Sequence, residues 1–122
     1  MPKVYKVVDK YRDTSAIIPG EFQLRYFIGR TTRPNIGKIF AFDTIENADD
    51  FMGCSNAYSV FECDCENPSV AKRIIPTRQG LCYDKIGISL FWSEYEKGIY
   101  KGYRPLKGTI LCDSITPIRR IV

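Results

Sequence analysis

The side chain most often used to move protons near neutral pH is missing: none of the 122 residues is histidine. That removes Ser-His-Asp and Cys-His nucleophile activation, imidazole general bases and every zinc site that uses imidazole. Five cysteines remain, at positions 54, 63, 65, 82 and 112, so at least one cannot pair within the chain. Structural zinc sites usually supply cysteines in close pairs, and here the only close pair is Cys63-Asp64-Cys65. On a strand those two thiols share a face with Phe61, which reads as reduced core packing rather than metal binding. The acids between and around them, Glu62, Asp64 and Glu66, could hold a hard cation, but they read more simply as the wet face of the same strand. No glycine-rich phosphate loop or dinucleotide turn is present, so neither a cofactor nor a metal is expected.

What remains is a mixture of basic and aromatic side chains. Residues 1–67 carry 8 Lys/Arg against 10 Asp/Glu, whereas residues 68–122 carry 10 against 4, so a net of −2 faces a net of +6. A local positive field of that kind suits phosphate-bearing partners. Aromatic faces stack on bases and guanidinium forks pair with phosphates. The candidate ligand-binding residues are Arg78, Tyr83, Trp92, Tyr103, Arg104, Lys107 and Arg119, with Arg25-Tyr26-Phe27 as a further basic-aromatic run. The competing account has tyrosines and tryptophan filling the rim of the core while lysines and arginines snorkel past them. If the tail is a strand, Arg119 and Arg120 point to opposite faces and at most one joins a given pocket.

The elements that must position these groups are legible in part. A length of 122 residues suits one domain, 1–122, with one core. Strands are expected at Lys3–Val8, Phe22–Ile28, Lys38–Asp43 and Tyr58–Glu66, with one or two more in 108–113 and 118–122. The clearest helix is 44–52: Ile45, Ala48, Phe51 and Met52 share a face, Asp43 is the expected cap and Gly53 the stop. Arg73–Pro76 and Lys85–Phe91 look extended, and a second short helix fits 91–100, broken near Gly98. The expected class is α+β, with a mostly antiparallel sheet of about six or seven strands. No apolar run approaches the roughly 20 residues that span a bilayer. The charged start, Met-Pro-Lys-Val-Tyr-Lys, lacks the apolar centre of a secretory signal, so a cytoplasmic location and no membrane partner are expected.

Several segments carry a family resemblance: Tyr5–Val8 (YKVV), Ser15–Ile17, Tyr26–Gly29, Gly37–Phe51 (GKIFAFDTIENADDF), Val60–Cys63 (VFEC) and Gly108–Ile115 (GTILCDSI). Through them the chain resembles small phage and viral proteins, among them the Thoeris anti-defence proteins of phages. The resemblance implies a homo-oligomeric, non-enzymatic protein of the host cytoplasm. It would bind and sequester a small nucleotide-derived signal, a cyclic ADP-ribose isomer or a cyclic oligonucleotide, with no extended nucleic acid as partner. The matching residues are chiefly fold-forming, so the ligand-binding candidates above rest on their chemistry alone. The strand-helix-strand order from Ile39 to Cys63 is also similar to the middle of ADP-ribosyltransferase folds. For an NAD-consuming or ADP-ribosyl-transferring enzyme the catalytic candidates would be Arg12, Ser15, Glu94 and Glu96, although Ser15 lies too far ahead of the helix for that pattern. A third reading is a protein–protein inhibitor that uses the acidic face of residues 43–66.

Overall fold

The structure, a computed structural model, describes residues 2–11, 13–14, 24–53, 56–74 and 85–121, without the side chains of 85–87. In chain order these form β1 (Lys3–Asp9), β2 (Ile39–Phe42), α1 (Ile45–Met52), β3 (Tyr58–Glu66), β4 (Ser69–Val70), α2 (Lys85–Glu96), β5 (Thr109–Cys112) and β6 (Ser114–Arg120). The six strands make one sheet in the order β4-β5-β2-β1-β3-β6, with every pairing antiparallel, so the fold is α+β. No helix among the described residues is long and apolar enough to cross a membrane.

The two ends of that order are not independent strands. Glu66 lies opposite Ser114, Ser69 opposite Leu111 and Val70 opposite Ile110, so β3-β4 and β5-β6 are two long arms that keep one register past a shared break. The break falls at Asn67, which has a positive φ of 51°, and at Asp113, whose amide donates to the Glu66 carbonyl at 2.9 Å. Asn67 Nδ2 donates to Asp113 at 2.8 Å and Lys38 Nζ donates to its other oxygen. These two donors, Lys38 foremost, hold the Asp113 carboxyl below the usual range and fix the bend by charge-assisted bonds. Beyond it β5 pairs with β2, while β6 pairs with β3 and β3 with β1. The sheet therefore curls round one interior face.

Period-two alternation fills that interior. Val4 and Val8, Ile39 and Ala41, Phe61, Cys63 and Cys65, Cys112 and Ile115 pack there with Tyr26. The opposite face is covered twice. Helix α1 lays Ala48, Phe51 and Met52 on Val7, Phe42 and Val60, as its apolar spacing requires. Helix α2 lays Ile88, Phe91, Trp92 and Tyr95 on Phe40, Leu111 and Ala71.

Three local expectations are corrected. The α1 cap is Thr44, whose hydroxyl accepts from the Asn47 amide at 3.1 Å. Asp43 instead accepts from the Asn47 side chain at 2.7 Å, and α1 begins at Ile45. Second, Lys85–Phe91 is not extended: it is the first part of a helix that ends at Glu96, short of residue 100. Ile88, Phe91, Trp92 and Tyr95 recur at helical spacing, and burial of that stripe against the sheet outweighs the branched residues and glycine in 86–89. Third, residues 24–28 make no strand. Arg25 forms a single bridge to Thr14 and the Tyr26 amide donates to Asp13, while residues 22 and 23 of the expected strand lie outside the described residues.

Candidate functional site

Of the sequence candidates, Arg12, Ser15, Arg78 and Tyr83 lie outside the described residues. The others sit in unlike surroundings. Trp92 is only 4% exposed, with its ring centroid 5.0 Å from Phe91, 5.4 Å from Phe40 and 5.7 Å from Tyr95. Its faces are spent on core partners. Tyr103 is half-buried and exchanges backbone bonds with Ile74 at 3.0 and 3.1 Å. Arg104 and Lys107 are exposed on the approach to β5. Arg119 is exposed and bonded to Glu62 at 3.2 Å. Arg120 points the other way, as alternation requires: its fork reaches Ser59 and Asp13, both at 2.6 Å, and lies 4.6 Å from the Phe61 ring centroid.

Of the enzyme candidates, only Glu94 and Glu96 are described. Glu94 is paired with Lys101 at 2.9 Å, and Glu96 lies two residues further along α2, a spacing at which helical side chains do not share a face. The acids of β3 are each engaged by a base: Glu62 by Arg119, Asp64 by Lys3 and Glu66 by Arg33 at 2.8 Å. That ladder of ion pairs engages the trio read as the wet face of the strand, and no metal-holding cluster of three occurs among the described residues.

A basic-aromatic group does assemble elsewhere, around Phe27. The chain from Gly29 to Thr32 follows the edge of β6: the Gly29 amide donates to Pro117, and Thr32 and Ile115 exchange backbone bonds at 2.8 and 3.1 Å. A turn is closed by the Arg30 amide donating to the Phe27 carbonyl at 3.1 Å. Gly29 occupies its third position with φ +82°, where a side chain is strained and glycine is not. The turn leaves Phe27 43% exposed, with the Arg25 guanidinium 5.1 Å and the Arg30 guanidinium 5.4 Å from the ring centroid. Among the described residues neither guanidinium has a carboxylate partner, unlike Arg33, Arg119 and Arg120. The ring holds both cations by cation–π contact and leaves their forks free for oxyanions. The sequence reading named Arg25 and Phe27 but missed Arg30, because the Gly29 turn had to be placed before Arg30 could be brought back over the ring. Ile28 and Ile118 are exposed on the same stretch of surface.

The second chemical cluster is interior. Lys6 alternates with Val4 and Val8, so its amine enters the curled face, donates to the Phe40 carbonyl at 2.6 Å and lies 5.6 Å from the Tyr26 ring centroid. Burial lowers its pKa from 10.5 to about 8, opposed in part by the Cys112 and Cys63 thiols. Burial pushes Cys63 up from 9.0 to about 12 and raises Cys65 and Cys112 as well. The signs oppose one another. Lys6 keeps its proton longer in the unfolded chain, so its share of stability rises with pH between about 8 and 10.5. The thiols ionise first in the unfolded chain, so their share falls above pH 9. Lys6→Met removes the first share, and loss of its charge raises the Cys63 and Cys112 thiols further, so theirs still falls above pH 9. Urea denaturation of both proteins at pH 7 to 10.5 should show the stability difference drifting in favour of the wild type by on the order of 2 kcal/mol. A difference independent of pH would mean that the amine is not buried as a cation.

No protein-family model matches the chain, and neither a curated protein nor a solved structure shows significant similarity to it.

Proposed function

We propose that the protein binds and holds a small anionic nucleotide carrying two or more phosphates, without turning it over, and that Arg25, Phe27 and Arg30 form its anion-binding surface. The observation that carries this reading is the pair of guanidiniums held over a half-exposed ring with no acid among the described residues to neutralise them. Guanidinium forks match phosphate oxygens two at a time, and their planes accept a stacked base. The family resemblance narrows the ligand to cyclic ADP-ribose isomers and cyclic oligonucleotides. It also supplies the expectation of an oligomer, for which exposed Phe27, Ile28 and Ile118 offer apolar ground beside the arginines. The absence of histidine and the engagement of Glu94 by Lys101 favour capture over catalysis.

The protein would be incubated with cyclic ADP-ribose isomers, cyclic dinucleotides and cyclic trinucleotides, washed, heated and the released ligand analysed, with native mass read in parallel. Intact ligand recovered from a ligand-bearing oligomer is the expected result. Release of nicotinamide from NAD would establish the enzymatic reading in its place. Capture of no nucleotide, together with loss of biological effect on charge reversal at Asp49 and Asp50, would favour the acidic docking surface.

A further inference from the structure

The two long arms of the sheet meet inside the curl through sulfur. In the register that runs past the break, Cys112 falls opposite position 68, because Ser69 pairs with Leu111. Cys65 pairs with Ile115, so the two cysteines are three positions out of step and a flat ribbon would keep their thiols apart. The bend at Asn67 and Asp113 brings them together instead: the sulfur atoms are 2.7 Å apart, inside the van der Waals contact of two sulfurs. Both residues are buried and free. A disulfide bond is about 2.05 Å long, so little movement separates the pair from a bond. Cys63, the third described cysteine, is directed elsewhere, with its thiol 3.6 Å from the Phe61 carbonyl oxygen.

We propose that Cys65 and Cys112 are a peroxide-oxidisable dithiol whose disulfide clamps the bend between the two arms. The oxidant is a small, uncharged peroxide, which can enter an interior closed to bulky disulfides. One thiol loses its proton and attacks a peroxide oxygen; the O–O bond breaks, leaving a sulfenic acid and water. The second sulfur displaces that hydroxyl, the S–S bond forms and a second water leaves. Two thiols and one hydrogen peroxide thus give one disulfide and two waters. The Lys6 ammonium, on the same interior face, opposes the effect of burial on Cys112. Burial makes the step slow, and it also protects the product from exchange.

The test uses the full, reduced chain treated with hydrogen peroxide, then denatured and alkylated. The number of alkylated thiols should fall from five to three, with the mass of two hydrogen atoms lost and a peptide linking Cys65 to Cys112. Reduction should restore all five, and the oxidised form should melt at a higher temperature than the reduced form. Cys63→Ser should keep the cross-link, whereas Cys65→Ser and Cys112→Ser should each lose it. Wild-type peptide mapping and the Cys63→Ser result stand even if a variant at Cys65 or Cys112 fails to fold. Five alkylated thiols after peroxide, a sulfinic acid in place of the bond, or a cross-link through Cys54, Cys63 or Cys82 would overturn the proposal.

Discussion

Arg25→Gln combined with Arg30→Gln is expected to weaken nucleotide capture by about 100-fold or more while barely moving the unfolding transition. Each guanidinium that pairs with a phosphate supplies a hydrogen bond to a charged group, worth about 1.5–3 kcal/mol, and tenfold in affinity is about 1.4 kcal/mol. Two such losses compound to about 100-fold even when exposure to solvent reduces each of them. Stability should change by no more than about 0.5 kcal/mol, since both side chains are exposed and their contact with the Phe27 ring is at the surface. Isothermal titration with the captured ligand reads the first quantity and urea denaturation the second. Arg25→Lys is the informative companion: charge survives but the flat fork does not, so an intermediate loss supports bidentate recognition. Arg119→Gln, which removes a guanidinium already bound to Glu62, should leave affinity unchanged. If the double variant binds as the wild type does, the anion site is not at Phe27.

Trp92→Ala should act on the other quantity. Removing a buried indole from a packed cluster costs about 3–5 kcal/mol, a large share of the stability of a domain this size. Any change in affinity should then follow the fraction of folded protein. The same cluster can be probed from the opposite side. Gly37 has φ +67°, and a Cβ placed there would collide with the Trp92 indole, so Gly37→Ala should destabilise through both backbone strain and overpacking, by about 2 kcal/mol or more. Both are read by urea midpoints, followed by circular dichroism for the first variant and also by the fluorescence of Trp92, the sole tryptophan, for the second. A Trp92→Ala protein of wild-type stability that cannot bind would restore Trp92 as a stacking residue.

The difference between these two variants reflects how far residue type alone can be read. An exposed aromatic and a buried one look alike in sequence, and the basic-aromatic composition of residues 68–122 fits both a binding surface and a core rim. For Trp92 the core rim is what the packing of α2 produces, because the stripe Ile88, Phe91, Trp92 and Tyr95 must cover Phe40 and Leu111. That stripe was present in the sequence but obscured by the branched and glycine residues of 86–89, whose local preference favours an extended chain. The Thr44 cap was displaced by one residue for a similar reason: Asp43 is an equally good cap in isolation, and its side chain is taken up by Asn47.

The patterns that depend on near neighbours were settled by the sequence itself. The alternation of Lys3–Asp9 and Tyr58–Glu66, the apolar face of α1, the opposition of Arg119 and Arg120 and the absence of imidazole chemistry all follow from residue type and a period of two or 3.6. What joins distant positions was decided only by the tertiary structure. The bend at Asn67 and Asp113 turns one register into a closed interior, moves Cys65 onto Cys112 and carries the Lys6 amine in among them. The turn at Gly29 returns Arg30 over Phe27. In each case the deciding quantity is the path of the backbone through a turn, which joins side chains that no local spacing could have brought together.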